Sequence, residues 1–212
     1  TCPLDPLWIY NWAFGVRRAF DLEAAAAAFR AAGRDYVHVL ASPSSRPGLP
    51  DELAGLGFRH AETQAYWRTA ATAAGAPGLL ELGRDDVEAF LGIWRAAWGH
   101  DGDGREEAYR RRFRDDRSRR YRTADGDGAF LLFDSGPTTQ LCHLAVRRAA
   151  QGQGLGRRML ALARGLAPAG RPLWLFTHAG GAGDRAAAAA GWTLDHTAGD
   201  WMLDLPPDVP GA

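Results

Sequence analysis

The sequence contains no lysine: every one of its 25 basic residues is arginine, and they are balanced by 25 acidic residues. Zero formal net charge provides no global field to gather nucleic acid or an anionic membrane. Without lysine there is no phosphate-cradling G-x-x-x-x-G-K-[ST] loop. Cys2 and Cys142 are the only two cysteines, too few for a disulfide framework and wrongly spaced for a metal site, so no metal is expected. Cys142 sits in an apolar stretch, which predicts a buried free thiol. No run reaches the ~18 apolar residues of a membrane span, and no signal peptide is read at the start. A cytoplasmic protein with no membrane or nucleic-acid partner is the expectation.

What is present is ordinary for a globular α/β chain. It has 212 residues, 46% hydrophobic and 24% charged, enough for one large domain or one and a half small ones. Its most informative stretch is Leu144 to Leu160, LAVRRAAQGQGLGRRML. An apolar strand-like run ends at Val146; then come Gln151-Gly152-Gln153-Gly154-Leu155-Gly156 and an amphipathic helix opening at Arg157. Glycines let such a turn adopt left-handed conformations and expose backbone N–H groups. The first helical turn adds orphan N–H groups and the positive end of the dipole, which together make an anion site. A dinucleotide fingerprint is excluded, because Arg157 stands where its third glycine belongs and no acidic residue ends the next strand, Leu173 to Thr177.

In order along the chain, residues 4 to 16 predict a strand, and Asp21 is a candidate cap for a helix reaching Ala32. Strand Tyr36 to Ala41, a short helix from Pro50 to Leu56, Gly57-Phe58 and a strand to Thr69 follow. Residues 70 to 78, AATAAGAPG, read as a linker. Beyond it come strand Leu79 to Leu82 and a helix capped by Asp85 or Asp86, with Val87, Phe90, Leu91, Trp94 and Trp98 on its apolar side. Glu106 to Arg120 predicts a charged helix, and Tyr121 to Phe133 a hairpin around Asp125-Gly126-Asp127-Gly128. Strand Thr138 to Val146, the glycine turn, a helix to about Leu166 and strand Pro172 to Thr177 come next. An alanine helix from Asp184 to Ala190, Gly191-Trp192, a final strand region to about Leu205 and a proline-rich tail complete the chain.

The turn matches Q/R-x-x-G-x-G/A at Gln151, Gly154 and Gly156, with Val146 five residues before the glutamine. From Leu79 the element order is β-α-α-β-β-β-α-β-α-β-β. Both resemble the GNAT superfamily of acyl-CoA-dependent N-acetyltransferases, over residues 79 to 205. The resemblance implies a mixed-sheet α/β (α+β) fold, acetyl-CoA as co-substrate, and acyl transfer to an amine of a small molecule or peptide. Helix, strand, short helix, Gly-aromatic and strand also occur at residues 21 to 69 and again at 157 to 204. Residues 1 to 72 are therefore read as a partial GNAT-like domain without a CoA loop, 79 to 205 as the complete domain, and 206 to 212 as a tail. An unrelated α/β extension is the alternative for the first part.

By the same resemblance, backbone N–H groups of Gln151, Gly152, Gln153, Gly154, Leu155, Gly156 and Arg157 would hold the CoA diphosphate. Leu144 and Val146 would hydrogen-bond the pantetheine arm through their backbone, and Ala145 belongs to the same cofactor-binding stretch. Two departures stand out: Ala187 occupies the place where many relatives carry an acid tyrosine, and Gln140 the place where some carry a glutamate base. His143, on the strand but alternating away from Gln140, Cys142, Leu144 and Val146, is either a base or a core histidine. His178, ending the next strand, has the same two readings. The loop Trp98, His100, Asp101 either borders the acceptor pocket or is solvated. The missing tyrosine and glutamate keep a second class open, a catalytically weak acyl-CoA sensor or scaffold. The run from Arg110 to Arg122 reads as a solvated ion-paired helix, since Glu106–Arg110, Glu107–Arg111, Asp115–Arg119 and Asp116–Arg120 are all spaced i,i+4.

Overall fold

The computed structural model describes residues 12–13, 19–31, 33, 36–72, 75–99 and 105–205. The chain forms two compact units, Thr1–Ala65 with His196–Ala212, and Tyr66–Asp195. The division falls inside two long strands, β3 (Arg59–Ala70) and β9 (Thr193–Asp204), not in the 70–78 segment. The 206–212 tail lies outside the described residues.

The first unit holds β1 (Trp12–Ala13), α1 (Ala19–Ala31), β2 (Tyr36–Ala41), α2 (Leu49–Gly55) and parts of β3 and β9. Of the strand expected over 4 to 16, Trp12–Ala13 is seen and the rest lies outside the described residues. Helix α1 begins before Asp21, so that residue is inside the helix and does not cap it. β1 runs parallel to β2, and β2 pairs antiparallel with β9 from Tyr36–Asp204 to Ala41–Gly199. Leu22, Phe29, Val37, Val39, Leu53 and Phe58 make its core. Within it, His38 Nδ1 and Asp200 Oδ1 are 2.8 Å apart, both side chains almost wholly buried. β9 is one continuous strand where two were expected.

The second unit carries β4 (Leu79–Leu82), α3 (Val87–Trp98), α4 (Arg105–Arg114), β5 (Ser118–Thr123), β6 (Gly128–Asp134), β7 (Thr139–Val146), α5 (Leu155–Ala163), β8 (Pro172–His178) and α6 (Ala182–Ala189). Its strands lie in the order β8-β7-β6-β5-β4, with β7–β8 parallel and the others antiparallel. Val87, Phe90, Leu91, Trp94 and Ala97 recur at helical spacing and pack with Tyr109 and Phe113 of α4 on Leu131, Phe133, Cys142 and Ala145 of the sheet. Gly128 alternates to the opposite face, where the Met159 sulfur of α5 would be only 2.4 Å from an added Cβ. Helices therefore cover both faces of this sheet. Trp98, ending α3, is 62% exposed and does not join the apolar side expected of it.

The charged run is not one helix. α4 stops at Arg114 and β5 begins at Ser118. Arg120 turns inward, donating from Nε to the Phe113 carbonyl and from Nη2 to the Asp115 carbonyl at 2.7 Å, so a cation closes the helix C-terminus. Glu106–Arg110 and Glu107–Arg111 pair as expected. Arg119 instead reaches Glu81 of β4, and Asp116 pairs with Arg84.

Candidate active site

The glycine turn joins β7 to α5 through one 3-10 turn at Arg148–Ala150. Gly152 (φ 77°) and Gly154 (φ 78°) are left-handed, a region that penalises any Cβ, and Gly154 is the N-cap of α5. Gly156 is different: a Cβ there would meet nothing nearer than Val146 Cγ2 at 3.9 Å. The protein itself leaves room for alanine at 156, so any crowding must come from a ligand. Gln151 folds back over the turn, its Nε2 donating to the Val146 carbonyl at 2.9 Å, and Gln153 Nε2 donates to the Ala149 carbonyl at 3.0 Å.

Of the seven amides expected to face an anion, that of Gln151 already donates to the Arg148 carbonyl at 3.2 Å. Among the described residues, no backbone carbonyl accepts from Gly152, Gln153, Gly154, Leu155, Gly156 or Arg157; the next amide, Arg158, returns to Gly154 at 3.0 Å. The four central loop residues and Arg157 are exposed. Six consecutive donors thus remain open at the positive end of α5.

Among the described residues, β7 and β8 pair only at Thr139–Leu173 and Gln140–Trp174. Further along β7 a bulge intervenes: pairing with β6 steps from Leu131–Cys142 to Ala129–Ala145, one extra residue on the β7 side. His143 takes up the irregularity with φ 53°. Strict alternation therefore fails here. Cys142 and Ala145 share the α3 side, and the His143 ring packs edge-on against Tyr109 at 4.5 Å. Burial, then the charge of Arg112, push the His143 pKa down to about 3, and its Nε2 is buried without a hydrogen-bond partner. Such an imidazole stays neutral and is a feeble proton acceptor near pH 7. Burial likewise pushes the Cys142 thiol up to about 11.

The remaining candidates are scattered. His178 is exposed at the end of β8, its carbonyl held by the Gly181 amide at 2.9 Å. His100 and Asp101 lie outside the described residues. Ala187 is fully buried on α6, so its position is packed against the protein interior. Among the described residues, no group of three or more His, Cys, Asp and Glu is placed to hold a metal ion. No helix among them is long and apolar enough to cross a membrane.

Sequence reasoning missed a pocket of about 380 Å³ beside the last β7–β8 pair. Tyr66, Trp174 and Phe176 wall it, with Gln140, Ser135 and Thr138 at its edge. Its rings come from strands more than a hundred residues apart, so only the i, i+2 spacing of Trp174 and Phe176 was available as a sequence signal.

No family model matches this sequence, and no curated protein matches it. Solved structures do. A functionally unknown conserved protein from Staphylococcus epidermidis aligns over 92% of this chain and 84% of its own, with TM-score 0.69 and 12% identity. A GCN5-related N-acetyltransferase from Sphaerobacter thermophilus aligns over 88% and 69%, at 0.63 and 14%. A tandem GNAT protein from the clavulanic acid biosynthesis pathway aligns over 92% and 73%, at 0.59 and 20%. With its two-faced mixed sheet, its strands parting after one short parallel pairing and its glycine turn at the head of α5, the chain has the GNAT fold.

Proposed function

We propose that this protein is an N-acetyltransferase that moves an acetyl group from acetyl-CoA to an amine of a small molecule or peptide. The observation that carries the reading is the run of six open amides, Gly152 to Arg157, at the end of the strand that parts from β8. A diphosphate suits that run, being anionic and able to accept several N–H bonds at once. Leu144 and Ala145, at and beyond the bulge, would flank the pantetheine arm. Val146 does less by its carbonyl, which Gln151 already engages. Bound acetyl-CoA would supply a thioester, whose thiolate (ordinary thiol pKa ~8.5) leaves without a strong acid. Holding amine and thioester in attack geometry can then provide much of the rate. A buried Ala187 and an uncharged Gln140 fit direct attack without a dedicated acid or carboxylate base.

The first unit repeats part of this order, α1-β2-α2-Gly57-Phe58-β3 beside α5-β8-α6-Gly191-Trp192-β9, and its sequence has no Q-x-x-G-x-G motif before Asp21. We read it as a partial GNAT-like unit that binds no CoA. Calorimetry with acetyl-CoA tests both statements. One site per chain is expected, abolished by Gly154→Asp and by Gly156→Asp. Unchanged affinity in both variants would refute the diphosphate assignment. Two sites per chain would refute the partial reading.

A further inference from the structure

We propose that the amine taken by this site is a weakly basic one carried directly on an uncharged aromatic or heteroaromatic ring, the ring being held in the pocket of Tyr66, Trp174, Phe176 and Gln140. The inference deepens the transferase reading and rests on it.

Shape comes first. A cavity of about 380 Å³ falls in the size range of small-molecule sites. Trp174 and Phe176 stand on the same face of β8, and Tyr66 closes on Phe176 with ring centroids 6.2 Å apart and planes tilted by 33°. Three such walls favour a flat π-faced guest through offset and edge-to-face contacts. Gln140, paired with Trp174 across the point where β7 and β8 begin to part, adds one neutral donor and acceptor at the edge. The pocket thus lies beside the last β7–β8 pair, where the two strands begin to part.

Charge comes second. Among the described residues, no acidic or basic side chain lines the pocket. The nearest acid along β6, Asp134, is tied to Arg171 at 2.8 Å and to the Gly136 amide. His143, past the bulge, has its ring against Tyr109 and is held neutral by burial. An alkylamine of lysine-like pKa (~10.4) is neutral in only about one molecule in a thousand near pH 7.4. It would reach this pocket as a cation, with no carboxylate or base among the described lining residues to receive or deprotonate it. An amine conjugated to a ring is already neutral at that pH. Its nitrogen lone pair forms the bond to the acyl carbon, the carbon–sulfur bond breaks with its electron pair to sulfur, and the surplus N–H proton passes to the departing thiolate. Nothing else is consumed.

The isomers 4-methylaniline and benzylamine test the idea, because they share ring and formula and differ in basicity. Thiol release from acetyl-CoA by the full chain should give 4-methylaniline at least a tenfold higher kcat/KM at pH 7. The benzylamine rate should climb tenfold per pH unit from 7 to 9, and the 4-methylaniline rate should stay flat. Gln140→Glu should raise benzylamine turnover selectively. Trp174→Ala, or Phe176→Leu if the first variant does not fold, should raise the 4-methylaniline KM tenfold with acetyl-CoA affinity intact. Benzylamine as the better substrate at pH 7, or an isomer ratio unmoved by Gln140→Glu, overturns this inference and leaves the transferase standing. Acetyl-CoA binding without thiol release from either isomer overturns it as well. Loss of acetyl-CoA binding altogether in the unmodified chain removes the transferase reading and this inference with it.

Discussion

Gln151 reaches back five residues to donate its side-chain amide to the Val146 carbonyl at 2.9 Å, closing the glycine turn onto the strand it leaves. The side chain is thus a brace for the loop, and its backbone amide is spent on Arg148. A brace and a ligand contact make different predictions. Gln151→Ala should leave the fold intact and weaken acetyl-CoA binding about fivefold, the equivalent of one ordinary hydrogen bond of ~1 kcal/mol. Gln151→Arg, which can donate to the same carbonyl, should restore affinity. Calorimetry on both variants checks this, and an arginine variant as weak as the alanine one would contradict the bracing role.

The two motif glycines should separate on stability alone. Gly154→Ala places a Cβ at φ 78° and should cost roughly 1–2 kcal/mol. Gly156→Ala sits in helical backbone with 3.9 Å of clearance and should be neutral or gain up to about 1 kcal/mol from helix propensity. Thermal melts without ligand read both. Equal losses would mean that the turn is strained in a way its backbone angles do not express.

Much of this turn was legible in the sequence because local chemistry fixes it: glycine where φ is positive, then an amphipathic helix. Strands β2 and β4 were legible to the residue, YVHVLA and LLEL being short apolar runs with clear ends. The i,i+4 charge rule misled at Asp115–Arg119 and Asp116–Arg120, since the same arginines are satisfied by partners on β4 and by helix-end carbonyls. Strand alternation misled at His143, because one inserted residue resets the faces and nothing local announces it. The pocket was illegible for a third reason: Tyr66 is brought to Trp174 and Phe176 by tertiary packing alone.

Asp115 supplies a pH prediction. The Arg117 guanidinium, 2.7 Å away, and the Arg117 amide hold its pKa down to about 2 from an ordinary 3.8, against the opposing effect of burial. A depressed folded-state pKa stabilises the fold above the unfolded value, and that contribution disappears as pH falls from about 4 toward 2. Arg117 is 63% exposed, so solvent screening reduces the gain. Urea unfolding from pH 5 to 2 should be less pH-dependent in Asp115→Asn than in the parent chain. Identical slopes would show that the pair survives in the unfolded chain or contributes nothing.

In the first unit, Asp200→Ala should cost about 1–3 kcal/mol, as is usual when one side of a buried hydrogen bond is removed. His38 would lose its 2.8 Å partner while remaining buried. Asp200→Asn, which keeps the volume and an acceptor oxygen, should recover part of the loss. Denaturant midpoints of the two variants decide; equal midpoints would reduce the pair to packing.

Gly165 is where helix propensity and packing oppose each other. Just past α5, its amide still bonds to the Leu162 carbonyl at 2.9 Å, and on propensity alone Gly→Ala gains about 1 kcal/mol. A Cβ there, however, would lie 2.2 Å from the Gly75 carbonyl oxygen and 2.9 Å from its carbon. Backbone cannot rotate aside as a side chain can. The crossing segment is moreover tied down by Thr72 N–H to the Arg164 carbonyl at 2.7 Å and Ala71 N–H to the Arg171 carbonyl at 3.4 Å. Overpacking of this kind costs ~1–3 kcal/mol, which exceeds the propensity gain over most of that range. Gly165→Ala should therefore lower Tm by several degrees, about 2–4 °C per kcal/mol for a chain of this size. A raised Tm would mean that the 75–78 segment yields to the methyl group and that propensity wins.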